Sequence, residues 1–371
     1  MSDTRAIANL TPEQWDDQFF TEYLTDNRYA GEMGTNENNI IQVKENLTKK
    51  KGDRVNFALV NKLTQDAVTG RAVMEGNEED MGTRSYELAI DKRRNAVRVA
   101  EIDEQFSAIS LREAAKFVLK EWSMKDTERL VTMALGDMNG IPMTAAAITA
   151  DGGTVTDVWL AANSDRVFFG NSAYAASSGD LSAGLGTLTA ATAAERLTAD
   201  NISAMKFMAM NYANPKIRPI RSETNGRHYY MLYAHPLAFR DLKADTTIRS
   251  AQREVSVEME NNRLFKGGDL LWDGVIIKEA HDLYDYSTLT ALGDSSTAVP
   301  AFLCGAQAVG VAYGRRWRSQ TETFDYGDKH GVEISSIYGV GKMVFGTGAG
   351  DRDTLKDHGI VTGFFASSTA A

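Results

Sequence analysis

Between Gly52 and Gly136 a charged, strand-patterned excursion runs into a long amphipathic helix. A free-standing ribbon of about fifty residues has too little apolar surface to stabilise itself, because an isolated hairpin in water is marginal at best. Such a ribbon needs neighbours. A projecting arm joined to a rigid helix therefore points to assembly before it points to catalysis.

The arm ascends through Gly52–Val60, where Val55, Phe57 and Leu59 alternate with Arg54, Asn56 and Ala58 in the period-two pattern of a half-buried strand. Gly70, Gly76 and Gly82 punctuate the far end, and the chain returns through Tyr86, Leu88 and Ile90, then Val97 and Val99. This predicts a two-stranded hairpin over about Gly52–Ser107. Its charges are segregated. Glu75, Glu78, Glu79 and Asp80 lie near the tip with Arg71, while Lys92, Arg93, Arg94 and Arg98 lie toward the base of the returning strand. Copies set side by side could pair tip to base, which makes these nine residues the candidate intersubunit contacts. The alternative is a solvated hairpin whose charges oppose edge-to-edge aggregation, since an exposed ion pair contributes only about 0–1 kcal/mol. The acidic cluster lacks the alternating Asp spacing and distal Glu of a calcium loop, so no metal is expected.

The helix starts at Ser110, with Glu113 three residues on, the reciprocal arrangement of a capping box. Leu111, Ala114, Ala115, Val118, Leu119 and Trp122 then form one apolar stripe, with Arg112, Lys116, Lys120 and Glu121 facing away. The pattern stops at Gly136, giving about 25 residues and roughly 37 Å. Glu121 and Lys125 add an i,i+4 pair.

With 371 residues, 43% of them hydrophobic and 24% charged, the chain is long enough for two or three cores. Neither a basic-then-apolar leader nor an apolar stretch of about 18 residues is present, so synthesis and use in a cytosol, away from membranes, are expected. Cys304 is the single cysteine, which excludes intrachain disulfides and multi-cysteine zinc sites. A net charge of −10 without a basic tail gives no long-range attraction to nucleic acid.

Elsewhere the readings are coarser. Residues 1–51 form an arm with one short helix carrying Trp15, Phe19, Phe20 and Tyr23, followed by Lys49–Lys51. Ile141–Thr156 is small-residue and Gly-rich, Arg166–Phe169 is a short strand, and Asn171–Ala194 is a long loop. A second helix runs from Thr198 or Asp200 to Tyr212, its methionines serving as core, and ends at Asn214–Pro215. His228–Ala234 is a strand, Pro236 opens a helix, and Val275 begins another strand. Thr321–Phe345 is a hairpin turning at Gly327–Gly331. The histidines His228, His235, His281, His330 and His358 have no metal-binding spacing. Gly346–Gly350 lacks the Lys-Ser/Thr of a phosphate loop, and Cys304 has no neighbouring base. Nothing argues for catalysis or a cofactor.

Several runs carry a resemblance. Phe57–Thr64, Val68–Arg71, Glu75–Glu79, Leu264–Gly268 before Trp272–Ile277, and Phe324–Gly327 with Gly331 and Lys342 resemble the tailed-phage major capsid proteins, in particular the family typified by phage N4. The resemblance implies an α+β, Hong Kong 97-like fold. It makes 1–51 an N-terminal arm, 52–107 an extended loop lying over a neighbouring subunit, 108–215 with 352–371 a peripheral domain built on the spine helix 110–135, and 216–351 an axial domain. It further implies a virion protein, assembled in the host cytoplasm as hexamers and pentamers of an icosahedral shell around double-stranded DNA that it does not read. Its expected partners are itself, a separate scaffolding protein, a portal and a decoration protein. A nanocompartment shell of encapsulin type, or a cytosolic enzyme with a dispersed site, are the other readings.

Overall fold

The computed structural model describes residues 29–45, 52–60, 63, 65–71, 73–79, 81, 83–106, 111–170, 172–173, 179–188, 193–221, 226–254, 270–280, 283, 297–346 and 355–367. The expected helix about Trp15–Tyr23, the cap at Ser110, Asp80 and Leu264–Gly268 lie outside these residues.

Two sheets share one core. The larger has eight strands, with Thr297–Cys304 and Ile360–Ser367 paired antiparallel at its middle. His228–Ala234, Val275–Glu279 and Leu270–Trp272 extend it on one side, with Ile220–Arg221 paired to the start of His228–Ala234, and Val167–Phe169 with Ser172–Ala173 on the other. Every residue of Ile360–Ser367 is buried, the signature of a strand covered on both faces. One face meets helices Ala199–Phe207, Pro236–Ala244 and Thr246–Glu254 through Ile202, Met205, Phe239, Leu242 and Ile248. The other contributes Tyr233, Phe302 and Phe364 to the shared core.

The smaller sheet has five strands, built on the long hairpin of Val309–Phe324 and Lys329–Lys342. That hairpin turns at Asp325–Gly327, ahead of the expected glycine pair, with Asp325, Tyr326 and Gly327 all at positive φ (54, 56 and 103°). Ile41–Lys44, itself paired in parallel with Met33–Gly34, joins one side of the hairpin in parallel, and Asp91–Ala100 the other in antiparallel register. The helix Leu111–Leu135, 25 residues as expected, lies on this sheet against Lys329–Lys342.

Its packing differs from the apolar stripe read in the sequence. Ala115, Leu119 and Val131 are buried, but so are Ser123, Asp126 and Thr127 in the same seam. Each is satisfied: Ser123 donates to the Lys120 carbonyl (2.7 Å), and the Tyr338 hydroxyl bonds both Asp126 (3.0 Å) and Thr127 (3.1 Å). Val118, expected inward, is 55% exposed because this polar seam rotates the buried face away from it. Trp122 stands edge-on to buried Trp317, centroids 5.9 Å apart.

A buried ion pair joins the end of the smaller sheet to the strand Leu355–Asp357, which pairs with Val344–Gly346 and runs just ahead of the closing strand of the larger sheet. Lys342 Nζ lies 2.5 Å from Asp357 Oδ2, the side chains 1% and 2% exposed, and also donates to the Asp137 carbonyl at 2.9 Å. Trp159 Nε1 donates to the same carboxylate at 3.3 Å, and Arg166 donates to the Asp357 carbonyl.

Some expectations change. The N-terminal arm is woven into the body from Tyr29 onward: Tyr29 is buried against Tyr233, and the Ile41–Lys44 strand pairs inside the smaller sheet. Asn171–Ala194 is not a plain loop, since Asp180 caps a helix at Leu181–Gly186 by accepting from Ser182 N and Ala183 N. Within Ile141–Thr156, Thr144 caps the helix Ala145–Asp151. Ile360–Ser367 completes the larger sheet, while Val309–Phe324 and Lys329–Lys342 form the body under the long helix.

Candidate assembly surface

The ribbon after Gly52 is two objects. Arg54–Val60 and Thr83–Ala89 pair in register as a hairpin, but the chain breaks at Ile90, and Asp91–Ala100 belongs to the five-stranded sheet. Alternation in the sequence gave the strands but not their partners, because a period of two reads the same in a hairpin and at a sheet edge.

At its base the hairpin is covered by its own chain. Val55, Phe57 and Leu88 point inward, as their alternation predicts, onto Ala312, Met343 and Phe345. Gly339 permits this seat: a Cβ there would lie 2.1 Å from the Ala89 carbonyl oxygen. Lys44 lies over the Phe57 ring at 4.4 Å and donates to the Asn56 carbonyl at 3.2 Å. Tyr86 packs edge-on to Phe345. Burial, with Asp137 nearby, pushes its phenol up to about 12, so it stays neutral.

Beyond Val60 that cover ends. Leu63, Val73, Met74 and Met81 are each more than half exposed. The described residues of this loop are nonetheless joined by their own polar groups. Gln65 N donates to Glu79 (2.8 Å), Gln65 Nε2 to the Asn77 carbonyl (3.0 Å), Gly76 N to Glu78 (2.7 Å), and Asn77 Nδ2 to the Val73 carbonyl (2.8 Å). Gly70 and Gly76 take the positive φ these turns require (74 and 89°).

Of the candidate contact residues, Arg71, Glu75, Glu78 and Glu79 lie on this loop, and Asp80 is outside the described residues. Lys92, Arg93, Arg94 and Arg98 lie instead on the edge strand of the five-stranded sheet, so one charge group sits on the hairpin's loop and the other on a different sheet. They are not equivalent. Arg93 forms a bidentate pair with buried Asp126 (2.7 and 2.9 Å), and this hydrogen bonding holds its guanidinium pKa above the ordinary value. Arg98 stacks on Phe324 at 4.5 Å. Lys92 and Arg94 are exposed. A cavity of about 460 Å³ opens over Val97, Arg98, Phe324 and Val332 on that sheet. Sequence reasoning missed the loop's apolar residues: Leu63, Val73, Met74 and Met81 follow no period, so nothing marks them as a face.

Among the described residues, no group of three or more His, Cys, Asp or Glu side chains could hold a metal ion, and no helix is long and apolar enough to cross a membrane. Cys304 is fully buried, with its thiol pushed up by burial, which suits packing and not nucleophilic attack.

Comparison with known proteins supplies an independent finding. A family model described as phage capsid protein matches residues 6–368. The major capsid protein of Pseudomonas phage KPP25 is 27% identical over 388 residues, covering 97% of each chain. The capsid structure of cyanophage Pam1 superposes with a TM-score of 0.77 at 30% identity, covering 94% of each chain. The capsid of Ralstonia phage GP4 shares the fold at a TM-score of 0.68 and 23% identity, covering 93% of this chain and 92% of that one.

Proposed function

The chain belongs to the phage capsid protein family, and from that premise we propose how it builds a shell. It is a major capsid protein of a bacteriophage, a structural component of the virion and not an enzyme. Relatives of this kind favour a viral shell over a nanocompartment. The finer reading is a Hong Kong 97-like subunit. The long helix and five-stranded sheet act as the peripheral body, the eight-stranded sheet as the axial body, and the loop beyond Val60 as the extended element laid over a neighbour. Subunits associate as hexamers and pentamers, with scaffolding and portal proteins during assembly in the host cytoplasm. A decoration protein on the finished shell and double-stranded DNA within complete the reading.

The observation that carries it is the contrast along one hairpin: a base packed on its own chain, and a loop with four apolar side chains uncovered. Each strand of seven residues spans roughly 23 Å, enough to carry the loop clear of the body. Covering such side chains contributes about 1.5 kcal/mol or more apiece, and a shell multiplies modest contacts over several neighbours. The tip acids and the cations Lys92, Arg94 and Arg98 are the polar rim of that contact in this reading.

Electron microscopy of the expressed chain, alone and with a candidate scaffold, tests the reading. Closed particles of uniform size are expected. The charge reversal Glu78→Lys with Glu79→Lys should lower particle yield while leaving the unassembled subunit folded. Wild-type yield from that variant would remove the acids from the contact.

A further inference from the structure

The buried pair of Lys342 and Asp357 carries a feature that charge alone does not explain. Buried polar atoms in a folded chain nearly all find a hydrogen-bond partner, yet Asp357 Oδ1 has none among the described residues although its side chain is 2% exposed. The other oxygen, Oδ2, meets both Lys342 Nζ at 2.5 Å and Trp159 Nε1 at 3.3 Å. That nitrogen lies closer than the roughly 2.7–2.9 Å of an ordinary charge-assisted bond. The carboxyl carbon stands one bond beyond Oδ2, near the roughly 3–3.5 Å that separates reacting atoms in a near-attack arrangement. Strand register holds the groups there, because Val344 pairs with Asp357 and so sets it beside the end of Lys329–Lys342. The Trp159 ring, fully buried, lies 5.3 Å from Nζ.

We propose that Lys342 and Asp357 condense after folding into an intrachain isopeptide bond, with Asp137 as the proton carrier. Nζ, once deprotonated, attacks Asp357 Cγ; the Nζ–Cγ bond forms and the Cγ–Oδ1 bond breaks. Oδ1 takes the two protons shed by Nζ and leaves as water, while Oδ2 stays as the amide oxygen facing the Trp159 N–H. An ammonium and a carboxylate thus become a neutral amide and water, and no oxidant or reductant is needed. Asp137 adjoins the pair. Its carbonyl accepts from Lys342 Nζ at 2.9 Å, and its carboxylate accepts from Gly140 N at 3.0 Å. Burial pushes that carboxyl above the ordinary carboxylate range, against the pull of Lys342 and of the Gly140 bond, with Asp357 adding to the rise. Such a group can take a proton from Nζ and pass it to Oδ1. Two forces favour the step. A neutral amide is free of the desolvation cost that two buried charges carry, and fixed neighbours react as though at effective concentrations on the order of 10⁵–10⁸ M. The newly folded chain holds the ion pair. With time the bond replaces it, closing a loop between residues fifteen apart and fastening Lys329–Lys342 to Leu355–Asp357.

Intact-mass measurement of the full wild-type chain, from fresh purification through prolonged storage at neutral pH, tests this. The expected result is the loss of one water, mapped by proteolysis to a branched peptide that joins the segments holding Lys342 and Asp357. A chain that keeps its full sequence mass throughout would overturn the proposal. So would a lost water located in a linear peptide, as in a succinimide. Lys342→Arg keeps the cation without an amine able to condense, and a branched peptide at Asp357 in that variant would overturn it as well. Asp137→Asn keeps the carbonyl that accepts from Lys342 but removes the carrier, and should slow the branched peptide's appearance about a hundredfold. Formation at the wild-type rate would overturn the role given to Asp137.

Discussion

The eight-stranded sheet and the hairpin of Arg54–Ala89 are made from the same strand chemistry to opposite ends. In the sheet, the closing strand Ile360–Ser367 is buried at every position and pairs on both edges within the chain. In the hairpin, alternation buries Val55, Phe57 and Leu88 at the base, and the loop beyond presents apolar residues to solvent. Stability is completed inside the first region and left open in the second. Lesions in the sheets and their junction should therefore unfold the subunit, whereas lesions in the loop should spare folding and prevent association.

The largest expected effect lies at the junction. Asp357→Ala strands Lys342 in a site where both side chains are at most 2% exposed, and should lower unfolding free energy by about 3–5 kcal/mol in denaturant melts. Lys342→Met combined with Asp357→Leu should recover most of that loss, because the buried pair contributes more by being matched than by being charged. Next is Trp122→Ala, which removes the edge-on partner of Trp317 and should cost about 3 kcal/mol. A melt unchanged by it would detach the helix from the core.

A smaller effect is carried by pH. Burial pushes the His235 imidazole down to about 4 from an ordinary 6.5. The unfolded chain then binds a proton below about 6.5 that the native state refuses until about 4. Stability complete at neutral pH thus declines across that window and is level beneath it. The decline amounts to at most about 3 kcal/mol for this group. His235 also caps its helix by accepting from Leu237 N at 3.2 Å through Nδ1. His235→Asn keeps an acceptor without the titration and should flatten the slope. It will not abolish it, because His358, also pushed down to about 4 by burial, with Arg166 and Arg84 adding, acts in the same direction.

Much of the fold was legible because its signals are local. The helix Leu111–Leu135, the strand His228–Ala234 and the helix opened by Pro236 follow from periodicity and punctuation. What was not legible is pairing at a distance. The edge strand Asp91–Ala100 reads as the hairpin's return, yet its partner is Lys329–Lys342, more than two hundred residues away. The burial of Asp126 and Thr127 carries no apolar signal, because their partner Tyr338 is equally remote. For the site, the charges were visible as blocks, but Arg93 belongs to an internal pair, and the loop's uncovered apolar residues became visible only once the base was seen to be closed.

The smallest effect on folding is expected where the effect on assembly is largest. Val73→Asp with Met74→Asp should leave the thermal melt of the unassembled subunit within about 0.5 kcal/mol of wild type. Sedimentation velocity of that variant under assembly conditions is the direct measurement. The account predicts folded, slowly sedimenting subunits and few or no closed particles. Shells of normal size and yield, formed with two carboxylates on that loop, would contradict it.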